Sequence, residues 1–176
     1  MDATLSALLL ETASRFTLPR YDDIPDVGLF LDQVARYAAK YTDAVSLPPL
    51  TGSMISNYVK KKVISNPVKK LYGRDQIAYL LFIAFAKGVL QMEDLACLIA
   101  RQQELSTVKE AYEAFREQMS YCIHAAMGAD SLEIPQAPAF DPRGILKAIS
   151  TASAQGIYLE LCLKAMRSPK PDGDNA

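Results

Sequence analysis

Apolar residues recur at spacings of three and four along most of this chain, and the strict alternation of a half-buried strand is almost absent. Such spacing places apolar side chains on one face of a helix. The most regular run, here called the heptad seam, consists of Leu105, Val108, Tyr112, Phe115, Met119, Cys122 and Ala126. The sequence therefore predicts a mainly α fold with a coiled-coil-like stripe in its second half.

Helix-breaking residues divide this pattern into segments. We predict helices over residues 2–14, 26–41, 52–62, 74–87, 91–103, 105–126 and 145–166. Residues 19–25 are expected to form a linker or extended arm, and the Pro-rich residues 131–144 a structured strap. The helix that starts at Asp26 is expected to turn Val27, Phe30 and Leu31 inward.

Two of the helical stripes leave a choice of partner. In the last helix we expect Ile149, Leu159, Leu163 and Met166 to form one stripe. The heptad seam fits either the inside of a monomeric bundle or an intermolecular coiled coil. Either arrangement gives a C-terminal helical region, dimeric or bundled, over residues 101–167.

Positive charge is concentrated in one part of the chain. The segment Thr51–Arg74 holds six Lys or Arg residues and no acidic residue, whereas the whole chain has 19 basic and 20 acidic residues. Taking away this cationic segment leaves 13 basic against 20 acidic residues. A cationic segment in an otherwise acidic chain predicts a polyanionic partner, most often nucleic acid.

The first half of the cationic segment has the features of a helix that enters the major groove. Thr51 stands where an N-cap residue accepts a hydrogen bond from a first-turn amide. Ser53, Ser56 and Asn57 then share the outward face. These small, hydrogen-bonding side chains near a helix N-terminus are able to reach base edges.

The second half of the cationic segment supplies contacts to phosphates. Residues 68–72 are predicted to form a short extended excursion, a wing, with basic residues at its tip. Lysines at the end of the helix and on the wing would lie near phosphates and add affinity that depends on salt. The candidates are Lys60, Lys61, Lys69, Lys70, Arg74 and Tyr72, of which Tyr72 either binds a phosphate or supports the wing.

The motif Leu50-Thr51 followed by residues 53–60, and the stretch 70–80 around Tyr72, resemble the recognition helix and the wing-to-helix junction of MerR-like proteins. Residues 31–34 (LDQV), 50–51, 54–55, 57–60 and 69–72 together are also similar to an uncharacterised bacterial YkrK-type family with a domain of unknown function, over roughly residues 22–125. The resemblance implies a winged helix-turn-helix and a DNA-binding transcriptional regulator. Ser53 and Ser56 depart from it, since MerR-like recognition helices usually have arginine there.

With the resemblance, the predicted organisation is an N-terminal helix and arm (1–25), a winged helix-turn-helix domain (26–100), the C-terminal helical region (101–167) and a disordered tail (168–176). We expect double-stranded DNA as partner and a homodimer as the active species, and the sequence leaves open whether a small-molecule effector exists. Because symmetric operators are commonly read by paired subunits, a dimer fits this role.

Other function classes find little support in the residues. No phosphate-binding glycine loop or metalloprotease motif is present, so we expect no enzyme. Three widely spaced cysteines give no metal or disulfide framework, and no cofactor is implied. The absence of a long apolar run and of a basic leader predicts a cytoplasmic protein without membrane contact.

Two alternatives to DNA binding stay open. The chain would be a protein-interaction module if the helices of residues 76–126 served as its surface and DNA binding had been lost. It would instead be a small-ligand sensor if the C-terminal bundle enclosed an apolar molecule. The lining residues of that sensor would be Tyr112, Phe115, Met119 and Tyr158.

Overall fold

The computed structural model describes residues 3–128 and 141–167, and this part of the chain contains seven α-helices and no β-strand. The helices are α1 (Ala3–Arg15), α2 (Leu31–Asp43), α3 (Gly52–Lys60), α4 (Arg74–Ala86), α5 (Met92–Leu105), α6 (Val108–Ala126) and α7 (Pro142–Arg167). A single 3₁₀ turn, Tyr21–Asp23, lies between α1 and α2. The predicted mainly α fold is confirmed.

The central helix is α4, because it is apolar on nearly all sides. Ile77, Leu80, Leu81 and Ile83 are each at most 1% exposed, and a helix of this kind must be surrounded by others. It packs against α2, α5, α6 and α7. Burying each such side chain contributes about 1.5–3 kcal/mol to folding. The buried residues form one cluster that runs from Leu9 to Leu161, across the predicted boundaries at residues 25 and 100.

The heptad seam lies inside this core, but it does not include Leu105. A capping box at Thr107 starts α6, since Thr107 Oγ1 accepts from the Glu110 amide at 3.2 Å and Glu110 Oε2 accepts from the Thr107 amide at 2.9 Å. Leu105 therefore belongs to α5 and is 50% exposed. Within α6, the seam residues Tyr112, Phe115, Met119 and Cys122 are buried against the other helices of the same chain.

The helix predicted from Asp26 begins five residues later than expected, at Leu31. Gly28 has a φ of +77°, and Leu29 pairs with Tyr72 in an isolated antiparallel bridge, so this stretch cannot be helical. As a result Val27 is 80% exposed instead of buried, and Phe30 is exposed as well. Residues 19–25 do not form a simple linker, because they pack on α4 and α6 through hydrogen bonds and the buried Ile24.

Helix α7 also differs from the prediction. It begins at Pro142, where a proline at the first helical position loses no hydrogen bond, so this residue does not belong to a strap. Its buried face consists of Ile149, Ser150, Ser153, Ala154, Ile157 and Leu161. Of the predicted stripe, Ile149 belongs to this buried face, whereas Leu159 and Met166 face solvent. The rest of the predicted strap, residues 131–140, and the predicted disordered tail lie outside the described residues.

The segment between α3 and α4 is held at both ends by one buried side chain, that of Gln76. Gln76 Oε1 accepts from the Gly73 amide at 2.8 Å, and Gln76 Nε2 donates to the Ser65 carbonyl at 2.8 Å. Gln76 is 8% exposed, so both bonds are largely shielded from water. The first turn of α4 thus fixes where the chain between residues 65 and 73 leaves and rejoins the core.

Replacing Gln76 by Glu tests this clamp. The carboxylate would still accept from Gly73 but would face the Ser65 carbonyl without a proton to donate. We expect unfolding free energy to fall by about 2–3 kcal/mol at neutral pH in urea titrations. Part of the loss should return at pH 5, where a protonated carboxyl donates again.

Gln33→Glu is the matched control. Gln33 is exposed and accepts one hydrogen bond, from the Phe30 amide at 2.9 Å, which a carboxylate keeps. A change of less than about 0.5 kcal/mol is expected there. Equal effects of the two substitutions would contradict the clamp.

Candidate nucleic-acid interface

Helix α3 presents a narrow polar stripe to solvent. Its N-cap is Thr51, as predicted, because Thr51 Oγ1 accepts from the Met54 amide at 3.2 Å. Ser53, Ser56, Asn57 and Lys60 are all exposed and lie within an arc of about 100°. The opposite face is anchored by Ile55 and Tyr58, which are buried. The fold therefore gives α3 one free face, and that face carries the residues selected from the sequence.

The end of α3 places Lys62 in an uncommon conformation. The Val63 amide donates to the Tyr58 carbonyl at 2.9 Å, and the Lys62 amide donates to the Val59 carbonyl at 2.9 Å. This is a Schellman motif, which requires a left-handed residue between helix and following chain, usually glycine. Lys62 occupies that position with a φ of +59°. Lys62 is not among the candidates selected from the sequence, although the apolar pair Tyr58 and Val63 flanking it is typical of the motif.

The predicted wing is reduced to a tight turn without strands. Val68 and Leu71 exchange two backbone hydrogen bonds, of 3.0 and 2.9 Å, and form an isolated bridge. Lys69 and Lys70 between them have φ values of +50° and +67°. Two central residues with positive φ define a type I′ turn, which strongly favours Asn-Gly. The structure confirms basic residues at the tip of an extended excursion, here called the lysine turn (residues 68–71).

The lysine turn is tied back to the chain segment before α2. The Leu29 and Tyr72 amides each donate to the other residue's carbonyl, at 3.0 and 2.9 Å. Gly28 lies so close to Leu71 that a Cβ atom added to the glycine would be 3.0 Å from the Leu71 Cβ. A side chain at position 28 would need both a strained φ and a displaced Leu71. Together with the Gln76 clamp, this pairing fixes the base of the turn.

The five lysines at the end of α3, directly after it and in the lysine turn have no counter-ion within the described chain. Lys60, Lys61, Lys62, Lys69 and Lys70 are all exposed, and none forms an ion pair or hydrogen bond with another described residue. Six of the thirteen other described cations differ in this respect. Those paired with carboxylates are Arg15, Arg74, Arg101, Lys109, Arg116 and Arg167. The cationic segment therefore offers five free ammonium groups to an external anion.

Three of the candidate residues are engaged in structure. Tyr72 is 4% exposed and packs in the core, and burial raises the pKa of its phenol, so it supports the turn instead of facing a phosphate. The Arg74 guanidinium donates to the Ile24 carbonyl at 2.8 Å and lies 3.4 Å from the Asp26 carboxylate. Thr51 shares its hydroxyl between the Met54 amide and Ser53 Oγ, 2.9 Å away. Arg74 and Tyr72 are therefore left out of the candidate interface.

Of the four residues expected to line a ligand cavity, three fill space in the core and Tyr158 is partly buried against it. Tyr112, Phe115 and Met119 are buried, and Phe115 makes edge-to-face contact with Phe82 at a centroid distance of 5.3 Å.

Within residues 3–128 and 141–167, no three His, Cys, Asp or Glu side chains come together as a metal site would need. No helix in this same part of the chain is both long and apolar enough to cross a membrane.

Comparison with known proteins gives one match. No curated protein and no solved structure matches the chain. A family model does match, over residues 19–115, which run from the arm before α2 into the first half of α6 and include the whole candidate interface. Because this match covers more than half of the chain, the protein belongs to the family described as a domain of unknown function, DUF1836.

Proposed function

We propose that this protein is a DNA-binding transcriptional regulator with a MerR-like winged helix-turn-helix, in which α3 enters the major groove and the lysine turn contacts phosphates. The order α2, α3, lysine turn and α4 supports this proposal, because a winged helix-turn-helix has the same order. The bridge between Leu29 and Tyr72 stands where such a fold pairs its first strand with the wing. The wing here would be a minimal one.

The stripe on α3 fits base readout. Serine hydroxyls donate or accept, and an asparagine amide is able to bind adenine through two hydrogen bonds in the major groove. Ser56 and Asn57 are exposed and have no partner in the described chain, so their hydrogen-bonding groups are available. The first turn of α3 also presents unpaired amides to an approaching phosphate.

The observation that carries the proposal is the backbone conformation of three of the lysines. Lys62, Lys69 and Lys70 are three of the four described non-glycine residues with positive φ, the fourth being Ser46. A left-handed backbone conformation costs an L-residue about 1–2 kcal/mol relative to the right-handed one. Glycine or asparagine would relieve this cost. Lysine at all three positions, without any internal partner, is explained if the ammonium groups bind an external polyanion such as the DNA backbone.

A second candidate function rests on apolar exposure beside the lysine turn. Val68 in the turn is largely exposed, as are Val27 and Phe30 near Leu29, which forms a bridge with Tyr72 at the base of the turn. A protein-interaction module would use such a surface. It would not need five unpaired lysines, and this is why DNA binding is the favoured reading.

The first test is a salt titration of binding to duplex DNA. If all five free lysines neutralise phosphates, the logarithm of affinity should fall with the logarithm of salt concentration at a slope of about −4 to −5. Replacing Lys60, Lys61, Lys69 and Lys70 by Ala should flatten the slope by about 3–4. Absence of any binding at about 50 mM salt would favour the interaction module.

The second test separates the function of the lysine turn from its stability. Lys69→Asn with Lys70→Gly gives the sequence that a type I′ turn prefers, so the unfolding free energy should rise by about 1 kcal/mol. At the same time the salt slope of DNA binding should flatten by about 2.

Arg20→Gln with Arg143→Gln serves as the control for net charge. These two arginines are exposed and lie outside the cationic segment, so their removal changes the total charge equally. The loss of these two arginines should leave the salt slope of DNA binding unchanged. A stabilised turn that binds DNA as tightly as the wild type would argue against phosphate contacts at the tip.

The third test addresses base readout. Asn57→Ala should reduce discrimination between a selected sequence and random duplex by about tenfold, because one bidentate base contact contributes about 1–3 kcal/mol. The salt slope should not change. Asn66→Ala, at an exposed asparagine beyond α3, is the matched control and should leave discrimination intact. Selection of bound fragments from a genomic library would supply the sequence.

A further inference from the structure

The outer face of α7 is apolar although it faces solvent. At about 100° per residue, one side of this helix lies within an arc of about 80° and carries no charged or strongly polar side chain. This outer stripe consists of Ala148, Ala152, Gly156, Leu159, Leu163 and Met166. Leu159 is 56% and Met166 79% exposed, whereas the opposite face is buried against α1, α4 and α6. A helix that is apolar on both sides ordinarily has partners on both sides.

Gly156 lies at the middle of the outer stripe, and no contact within the described chain explains a glycine at this position. It sits inside a regular helix, where glycine is less stable than alanine because it loses more backbone freedom. A Cβ atom added at this position would meet nothing within 4 Å. No neighbour in the described chain therefore requires the absence of a side chain. Close approach of a second helix would require it.

The two halves of the outer stripe are complementary in the size of their side chains. Its N-terminal half carries small residues, Ala148 and Ala152, and its C-terminal half carries large ones, Leu159 and Leu163. In an antiparallel pair related by a two-fold axis between Gln155 and Gly156, Ala152 faces Leu159 of the second copy and Ala148 faces its Leu163. The same register brings Ile145 opposite Met166. Leu159 and Leu163 then each meet an alanine, and the flexible Met166 packs on Ile145, which suits close packing.

We propose that α7 pairs with α7 of a second copy of this chain, antiparallel, in this register. A parallel pair would place leucine against leucine and alanine against alanine, and would leave a gap at one end. The antiparallel pair is isologous, so each contact is made twice. This interface is separate from the heptad seam and does not rest on the proposed DNA binding.

The size of the outer stripe sets the strength of the dimer. From Ala148 to Met166 it is about 27 Å long, and helices in contact lie about 8–10 Å apart. Two such strips bury about 600–800 Å² in total, less than the roughly 1,200–2,000 Å² of standard stable interfaces. We therefore expect a reversible dimer with a dissociation constant of about 1–100 µM. The wild-type mass should rise from 19.3 kDa towards twice that value over this concentration range.

Sedimentation equilibrium of the full chain measures this association. Leu159→Glu should weaken the dimer by at least about 50-fold, because two carboxylates would enter an apolar contact. Leu105→Glu is the matched control, since Leu105 on α5 is similarly exposed, at 50%, and lies outside the outer stripe. Both variants should keep the wild-type circular dichroism, since both positions face solvent.

The register is tested by charge exchange. Ala152→Lys alone should weaken the dimer, and Ala152→Lys combined with Leu159→Glu should restore it to within about fivefold of wild type. Restoration is expected because each lysine would face a glutamate of the second copy. Within one chain the two positions are two helical turns apart and do not meet.

Three results would overturn the proposal. The first is a wild-type chain that stays monomeric at about 200 µM. The second is an equal effect of Leu159→Glu and Leu105→Glu. The third is a double variant that associates more weakly than either single variant, which would exclude the antiparallel register.

Discussion

The burial of α4 is the constraint on which the other elements depend. Its apolar side chains point in all directions, so a fold that hides them must place α2, α5, α6 and α7 around it. The two ends of this helix have different consequences. The C-terminal part organises the bundle, and Ser153 of α7 donates to the Phe85 carbonyl at 3.1 Å. The first turn instead holds the lysine turn through Gln76, so core and surface share one rigid element.

The surface lysines are not the residues that would make the fold most stable at their positions. Stability alone would place glycine or asparagine at positions 62, 69 and 70, because each has a positive φ. It would also supply carboxylates nearby, as it does for Arg116, which lies 2.7 Å from Glu113. The chain has neither feature in its cationic segment. The loss is local, since the clamp and the Leu29–Tyr72 bridge hold the backbone in this conformation whatever the lysines bind.

The sequence was a good guide where local chemistry decides the structure. The cap at Thr51, the break after α3 and the basic tip were predictable because each depends on residues within a few positions of one another. The start of α2 was not, since Leu29 pairs with Tyr72, which is 43 positions later and invisible to helical periodicity. Leu105 was assigned to the seam for a different reason, because the capping signature of Thr107 and Glu110 is local and was overlooked. Its spacing continued the heptad, but the capping box at Thr107 ended that continuity.

Long-range contacts also decided the role of two candidates. Arg74 and Tyr72 belong to the cationic segment by sequence, yet Arg74 binds the Ile24 carbonyl and Tyr72 fills the core beneath the turn. Spacing does not distinguish an arginine that binds a partner from one that binds its own chain. The free lysines lie at helix ends and turn tips, where the backbone projects away from the core. Their availability is therefore a property of backbone position, and charge counted along the sequence overestimates it.

The arm of residues 19–26 links the bundle to the base of the lysine turn. On one side the Glu113 carboxylate of α6 accepts from the Tyr21 amide at 2.6 Å, and Lys109 pairs with Asp22 at 2.7 Å. On the other side the Tyr21 hydroxyl donates to Asp75 in the first turn of α4. Burial and this hydrogen bond raise the pKa of Tyr21 to about 12, so the phenol keeps its proton at neutral pH. Any displacement of α6 relative to α4 must break this polar chain or move the start of α4, and with it the Gln76 clamp.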